Sequence, residues 1–145
     1  PGAHTGTFRG NQLAMAAGTV VMNKVNTPDF LAEVVEKGEI FAKRIEELKA
    51  KVSIIGDIRG KGLMRGIEFI DPKSEADHLG TKKASGDIAA MVQKRCFENK
   101  LVMEKGGRNG AVMRCLCALN ITKEDLNKAL DIIEKVVIEV DLEQK

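Results

Sequence analysis

The 145-residue sequence predicts a mixed α/β fold of the α+β kind, an antiparallel sheet of about four strands with helices packed on it. Two observations predict this fold. Four segments carry apolar residues at helical spacing. Four short segments rich in β-branched or aliphatic residues form two pairs, each joined by a glycine-containing connection. The element order is therefore α-α-β-β-α-β-β-α, and strands that are close in sequence pair as hairpins.

The first helix is predicted from Asn11, a good N-cap residue, to Met22. Small residues and a stripe of Leu13, Ala17, Val20 and Val21 are typical of a buried helix, so we expect this helix to be covered.

The second helix is predicted to start at Pro28, which suits the first helical position, after Thr27 as a capping residue. We place Lys37 on its charged face. Gly38 lies on its apolar stripe, where it costs about 1 kcal/mol relative to alanine, so we expect a close backbone contact there. The predicted apolar stripe is Leu31, Val34, Val35, Gly38, Phe41, Ala42, Ile45 and Leu48.

Two strands are predicted next, over residues 52–58 and 63–69, with a turn at 59–62 because its glycines allow positive φ. Gly60, Gly62 and Gly66 are spaced roughly as in a dinucleotide-binding loop. A strand follows them instead of the helix which that loop requires, so the segment is predicted to be a simple turn. The polar residues 71–83 are predicted to form a surface loop.

A third helix is predicted over about residues 85–98. Strands at 101–103 and 111–116 follow, with the glycine-rich residues between them as a hairpin connection. The last helix is predicted to begin after Thr122, because Asp125 stands three residues later as in a capping box.

Composition excludes several classes of function. The net charge of +2 gives no electrostatic case for nucleic acid or anionic membranes, and no apolar run approaches the ~18 residues of a membrane span. Three cysteines without framework spacing indicate reduced thiols and a cytoplasmic location. Zinc-ligand spacings and a hydrolase nucleophile elbow are both missing from the sequence, so no metal site and no hydrolase activity are expected.

The loop before the first helix is a candidate anion site. Thr5 and Thr7 place hydroxyls and backbone amides near a helix N-terminus, where a dianion is favoured. A plain capped helix start explains the same residues, and His4 can simply orient the backbone of the loop. From the residues alone both interpretations stay open.

Arg114 is the second candidate. It lies within an apolar run, and strand alternation places it on the same face as Val112 and Leu116. A half-buried guanidinium needs a partner, because burying an unpaired charge is costly. A substrate carboxylate could supply a two-pronged hydrogen bond. A structural salt bridge, or a solvent-facing edge position, is the alternative.

Three motifs in order resemble the C-terminal part of class III, pyridoxal-phosphate-dependent aminotransferases. They are His4–Leu13, Arg59–Met64, and the arginine-containing strand Met113–Leu116 followed by the helix start Thr122–Leu126. The resemblance spans nearly the whole chain. It implies the small C-terminal domain of a fold type I transferase at residues 26–145, with residues 1–25 as a strip of the large cofactor-binding domain and a connecting helix.

By this resemblance, Thr7, with Gly6 and Phe8, would bind the phosphate of pyridoxal 5'-phosphate in the site of a neighbouring subunit. Arg114 would bind the α-carboxylate of 2-oxoglutarate or glutamate. The first helix would normally pack against the rest of the large domain, so in this chain alone its apolar face must find another surface or stay exposed. A homodimer or higher homo-oligomer acting on a small-molecule substrate is therefore expected. The family's cofactor-binding lysine would precede Pro1, so this chain alone is expected to hold no cofactor and to be inactive.

Arg9 and Gln12 stand where most relatives carry Gly or Ser and Pro. They favour the branch that moves the 4-amino group of L-2,4-diaminobutyrate to 2-oxoglutarate, giving aspartate 4-semialdehyde and glutamate. Branches acting on ornithine or 4-aminobutyrate, or a non-catalytic module that binds an anion or a protein, remain alternatives. The run Cys115–Ala118 departs from the family, since relatives carry a proline-containing segment there.

Overall fold

The helices and strands follow one another in the predicted order in the computed structural model, which describes residues 5–145. Their bounds are α1 Gln12–Val25, α2 Pro28–Lys49, β1 Ile55–Lys61, β2 Met64–Phe69, α3 Gly86–Glu98, β3 Glu104–Gly106, β4 Val112–Leu116 and α4 Lys123–Gln144. A 3-10 turn, Arg108–Gly110, separates β3 from β4. Two compact units are present, one ending at Glu33 and one spanning Val34–Lys145. Within the described part, every helix is too short or too polar to span a bilayer.

The second unit holds the sheet, whose strand order is β1-β2-β4-β3 with every pair antiparallel. The predicted fold class is therefore confirmed. Its core joins one face of the sheet to α2, α3 and α4 through buried aliphatic and aromatic side chains, which exclude water from the sheet face. The largest fully buried members include Phe41, Phe69, Ile45, Ile67, Met113, Leu126 and Leu130.

Side-chain caps begin α3 and α4, and the cap at Thr122 is the one predicted from the sequence. The Ser85 hydroxyl accepts a hydrogen bond from the Ile88 amide at the start of α3. At the start of α4, the Thr122 hydroxyl accepts from the Asp125 amide and donates to its carboxylate. These bonds satisfy amides that the first helical turn leaves without partners.

The strand bounds differ from the prediction in both hairpins. β1 continues through Gly60 to Lys61, so the turn is only Gly62 and Leu63, with Gly62 at φ 51°. β3 lies at 104–106, inside the predicted connection. Residues 101–103 are not a strand, because their backbone groups form hydrogen bonds with α3 instead of with a neighbouring strand. The Cys96 carbonyl accepts from the Leu101 amide, and the Met103 carbonyl accepts from the Gln93 side chain.

α1 is exposed at every residue except Val25, which is half-buried, so the burial expected from its apolar stripe is not present within the described chain. Leu13 is 82% exposed and Val20 is 69% exposed. Asn11 caps the helix as predicted, since its side chain accepts from the Ala14 amide at 3.0 Å. The apolar stripe thus forms as the periodicity predicts, but none of the described residues buries it.

Lys37 is buried, with 4% of its surface exposed, although the sequence placed it on the charged face of α2. It stands four residues before Phe41 and eight before Ile45, which aligns it with the buried stripe. Its long aliphatic stem covers apolar surface, and its ammonium donates a hydrogen bond to the Leu119 carbonyl at 3.5 Å.

The close contact expected at Gly38 is present. A Cβ placed on Gly38 would lie 2.6 Å from the carbonyl oxygen of Gly62 and 2.7 Å from its Cα. α2 therefore touches the β1–β2 turn backbone to backbone. The Arg65 guanidinium fastens this contact by donating to the carbonyls of Gly62, Gly60 and Gly38 at 2.8, 3.2 and 3.1 Å.

Candidate functional site

The loop before α1 is a tight turn within the first unit. The Gly6 carbonyl accepts from the Arg9 amide at 3.1 Å, and the Phe8 carbonyl accepts from the Asn11 amide at 3.2 Å. Residues 5–10 are exposed, and Phe8 is 85% exposed. Gly6, Thr7 and Phe8 thus share one turn. His4, the first residue of the motif, lies outside the described residues.

This turn has the features that a phosphate group requires. The Thr7 hydroxyl is exposed beside the N-terminus of α1, whose first turn carries no acidic residue. The partial positive charge of the helix end is therefore not neutralised locally, and Arg9 adds a full positive charge to the loop. The phosphate of pyridoxal 5'-phosphate fits this set of donors.

Arg114 lies on β4 in the second unit, between Gly66 of β2 and Glu104 of β3 in the strand register. Its Nη2 is 2.6 Å from Glu104 Oε1, and the two side chains are 46% and 51% exposed. The guanidinium lies beside Gly106, where an added Cβ would be in ordinary van der Waals contact with it at 3.5 Å. Of the residues expected on the same face, Leu116 is exposed and Val112 is buried.

The salt-bridge alternative for Arg114 is therefore present in the structure. An exposed ion pair of this kind contributes only about 0–1 kcal/mol. A substrate carboxylate that binds both prongs of a guanidinium forms a stronger interaction, about 1.5–3 kcal/mol for a charged hydrogen bond. The exposed ion pair with Glu104 therefore holds the Arg114 side chain only weakly. Glu104 was not predicted from the sequence, because its role depends on the register of β3 against β4.

The hairpin of the second motif serves a structural purpose. Arg59 pairs with Asp57 at 2.6 Å and with Glu68 at 2.5 Å. The hydrogen bond from Arg59 lowers the pKa of Asp57 below its ordinary value, against the smaller effect of burial. β2 follows the glycines, so the segment is a turn, and it lacks the helix N-terminus that a dinucleotide loop would offer.

Arg114 and Glu104 also line a cavity of about 290 Å³. Apolar side chains from α2, β4, α4 and the segment before β3 form most of its lining. Cys115 and Cys117 also line it. Sequence reasoning did not find this cavity, because it is formed by elements that are far apart in the chain.

The family follows from the comparison with known proteins. The model of the class-III aminotransferase family matches residues 1–137, nearly the whole chain. The chain belongs to the class III aminotransferases. Enzymes of this family depend on pyridoxal 5'-phosphate.

Among curated aminotransferases, the diaminobutyrate–2-oxoglutarate aminotransferase of Haemophilus influenzae is 39% identical over 96% of this chain and 31% of its own length. The acetylornithine aminotransferase of Bacillus cereus is 38% identical over 94% of this chain and 31% of its own length. The chain thus spans slightly less than a third of the curated relatives that it matches.

Solved aminotransferase structures share the fold. The acetylornithine aminotransferase of Elizabethkingia anophelis is 28% identical, with a TM-score of 0.72, over 96% of this chain and 31% of its own. A transaminase from the marine bacterium Virgibacillus reaches a TM-score of 0.80 over 99% of this chain and 32% of its own, at 16% identity, a likeness of fold alone. These neighbours are fold type I transaminases, which confirms the fold that the resemblance implied.

Proposed function

We propose that this chain is the C-terminal portion of an aminotransferase that moves the 4-amino group of L-2,4-diaminobutyrate to 2-oxoglutarate. The products are aspartate 4-semialdehyde and glutamate. The observation that carries the proposal is that three diaminobutyrate–2-oxoglutarate transaminases are 38–39% identical over 88–96% of this chain. Arg9 and Gln12 also agree with that branch. Residues 1–25 would belong to the large domain and residues 26–145 to the small one.

Within this proposal, Arg114 binds the α-carboxylate of 2-oxoglutarate or glutamate. Its side chain is accessible, it makes one exposed ion pair, and glycines flank it on both neighbouring strands. Binding the dicarboxylate would release Glu104 and orient the substrate relative to the sheet. A fixed guanidinium of this type lowers the entropic cost of positioning the reacting groups.

The turn before α1 would hold the cofactor phosphate through the Thr7 hydroxyl and the amides of the turn around Gly6 and Phe8. Bound pyridoxal 5'-phosphate supplies the electron sink that amino-group transfer requires. The role of these residues is to anchor the phosphate, and thus the orientation of the ring, by neutral donors and the helix dipole. Following the family, we place the turn in the site of a neighbouring subunit, which makes the enzyme at least a homodimer.

Acetylornithine transamination is the second candidate, because that group of relatives reaches 38% identity. Assays of the full-length enzyme decide between the two. With 2-oxoglutarate as acceptor, glutamate should form fastest with L-2,4-diaminobutyrate, and more slowly with N-acetylornithine, ornithine or 4-aminobutyrate. Faster turnover of N-acetylornithine would overturn the diaminobutyrate assignment and leave the family intact.

The role of Arg114 has a direct test in the full-length enzyme. Arg114→Ala should raise the KM for 2-oxoglutarate at least tenfold, since about 1.4 kcal/mol of lost binding corresponds to a factor of ten. Arg95→Ala is the matched control, because Arg95 also makes one surface ion pair at 2.6 Å, with Glu143. Steady-state kinetics with varied 2-oxoglutarate measure the effect. An unchanged KM in the Arg114 variant would reject the assignment.

A further inference from the structure

Cys115 and Cys117 form a close pair that the proposed transamination does not use. Cys115 is in β4, and Cys117 follows the last residue of that strand. Their sulfurs are 3.9 Å apart, and both side chains are free thiols facing the same cavity. Because they are two residues apart in extended backbone, they share a sheet face, opposite to that of Arg114.

The two thiols differ in access. Cys115 is buried, with 8% of its surface exposed, whereas Cys117 is half-buried. Burial, helped by the neighbouring Cys117 sulfur, raises the pKa of Cys115 to about 12, so this thiol is protonated at neutral pH. A reagent from solvent therefore meets Cys117 first, and Cys115 is placed to react second.

The backbone allows the pair to close. A disulfide needs the sulfurs about 2.0 Å apart, so they must approach by about 1.9 Å. Leu116 is the last β4 residue in the register with β2, and the chain then turns, with the Ala118 carbonyl accepting from the Ile121 amide. Cys117 therefore lies beyond the paired part of β4. The cavity of about 290 Å³ gives its side chain room to move.

We propose that Cys115 and Cys117 are a reversible dithiol–disulfide pair that a low-molecular-weight disulfide such as oxidised glutathione closes. The Cys117 thiol loses its proton to solvent, its sulfur attacks one sulfur of the reagent, and one glutathione leaves as thiolate. The Cys115 sulfur then attacks the Cys117 sulfur, the mixed disulfide breaks, and the second glutathione leaves with the Cys115 proton. Two protein thiols are oxidised and one reagent disulfide is reduced.

The proposal does not depend on which amine the enzyme uses. A closed pair would be strained, because its sulfurs must leave the positions that the strand gives them. We therefore expect it to be readily reduced, as strained disulfides are.

The test uses the 145-residue chain in buffers of reduced and oxidised glutathione, followed by alkylation and tryptic mapping. Trypsin cleaves after Arg114 and Lys123, so peptide 115–123 contains both cysteines and excludes Cys96. The expected result is that this peptide carries two alkyl groups under reducing conditions. Under oxidising conditions it should carry none and weigh two hydrogen atoms less than the unlabelled dithiol, and dithiothreitol before alkylation should restore both labels. The control Cys96→Ala, which removes a fully buried thiol, should behave identically.

Two further variants identify the order of attack. Cys115→Ala should keep glutathione on Cys117, because no second thiol can displace it, and Cys117→Ala should form neither adduct nor disulfide. If a variant fails to fold, the wild-type peptide still decides the result. A stable glutathione adduct on wild-type Cys117, or a peptide that keeps both thiols in the fully oxidising buffer, would overturn the proposal.

Discussion

At the scale of single residues, Gly38 shows how one position can connect two elements. Its missing side chain lets α2 meet the backbone of Gly62 at a distance that no Cβ tolerates. The sequence predicted this contact, because glycine on a buried helical stripe costs helix stability and needs a packing reason. Its partner was not predictable, because Gly62 is 24 positions further along the chain and only the tertiary fold brings the two together.

Gly38→Ala should lower the free energy of unfolding by about 1–3 kcal/mol, because overpacking outweighs the gain of about 1 kcal/mol in helix propensity. Gly18→Ala is the matched control, since a Cβ there meets no other atom within 4 Å. It should be neutral or slightly stabilising. Urea denaturation of both variants measures the difference, and a Gly38 variant as stable as the wild type would contradict the contact.

Lys37 and Glu104 mark the limit of sequence reasoning at this scale. Lys37 is a residue type usual at the surface, but its spacing is that of the buried stripe. Its ammonium donates to the Leu119 carbonyl. Glu104 acquires its role only from strand register. Arg114 could be selected as a candidate from the sequence because a charge within an apolar strand is unusual in itself, and its role as a ligand stays a prediction.

At the scale of elements, α4 is attached to the beginning of the sheet region by Asp141. This carboxylate is 2% exposed and accepts from the Ser53 amide at 2.6 Å and from its hydroxyl at 2.7 Å. Lys145 adds an ion pair at 3.2 Å. Burial alone would raise the pKa of Asp141, but these hydrogen bonds outweigh it and the pKa is lowered.

Asp141→Asn should therefore cost about 1–3 kcal/mol of unfolding free energy at pH 7. The lowered pKa means that the unfolded chain takes up the proton first as pH falls. The stabilisation that the ionised Asp141 side chain gives the folded state is therefore complete above the ordinary aspartate pKa of about 4. It is lost as the pH falls below that value.

The measurement is urea denaturation of the wild type and of Asp141→Asn at several pH values. The difference between their free energies of unfolding should become smaller below about pH 4. Glu47→Gln, at an exposed site on α2, serves as control and should show a small gap at every pH. A gap for Asp141→Asn that stays constant from pH 7 to pH 3 would contradict the assigned hydrogen bonds.

Element boundaries were the least predictable part of the fold. Capping residues located the starts of α1 and α4, because a cap is a local hydrogen bond between neighbours in sequence. The strands shifted because pairing decides where a strand ends. Gly60 remains paired with β2 although its φ is 140°. Residues 101–103 form backbone hydrogen bonds with α3 instead of with a strand.

At the scale of the whole molecule, α1 is the element whose local pattern and environment disagree. Its apolar stripe is well formed, yet Leu13, Val20 and Val21 are 82, 69 and 56% exposed. Contiguous exposed apolar surface of this kind promotes association. The relatives are about three times longer than this chain.

The 145-residue chain should therefore self-associate through α1. Sedimentation should show an average mass that rises with concentration. Val20→Lys combined with Val21→Lys should shift the protein towards monomer, because charges replace apolar surface on the stripe. Leu142→Lys, at another exposed apolar position on α4, is the control and should leave association unchanged. A monomeric wild type at every concentration would refute the role of α1.

The Arg65 guanidinium has a consequence for protein engineering. One side chain on β2 holds the carbonyls of Gly38 on α2 and of Gly60 and Gly62 beside the turn. Recombining segments of related aminotransferases at a crossover between positions 38 and 60 would separate these residues into different parents. Such chimeras should fold only when both parents carry the contacting glycines, Gly38 and Gly62, and the arginine Arg65. Crossovers that give folded chimeras from other parents should therefore lie before α2 or after β2.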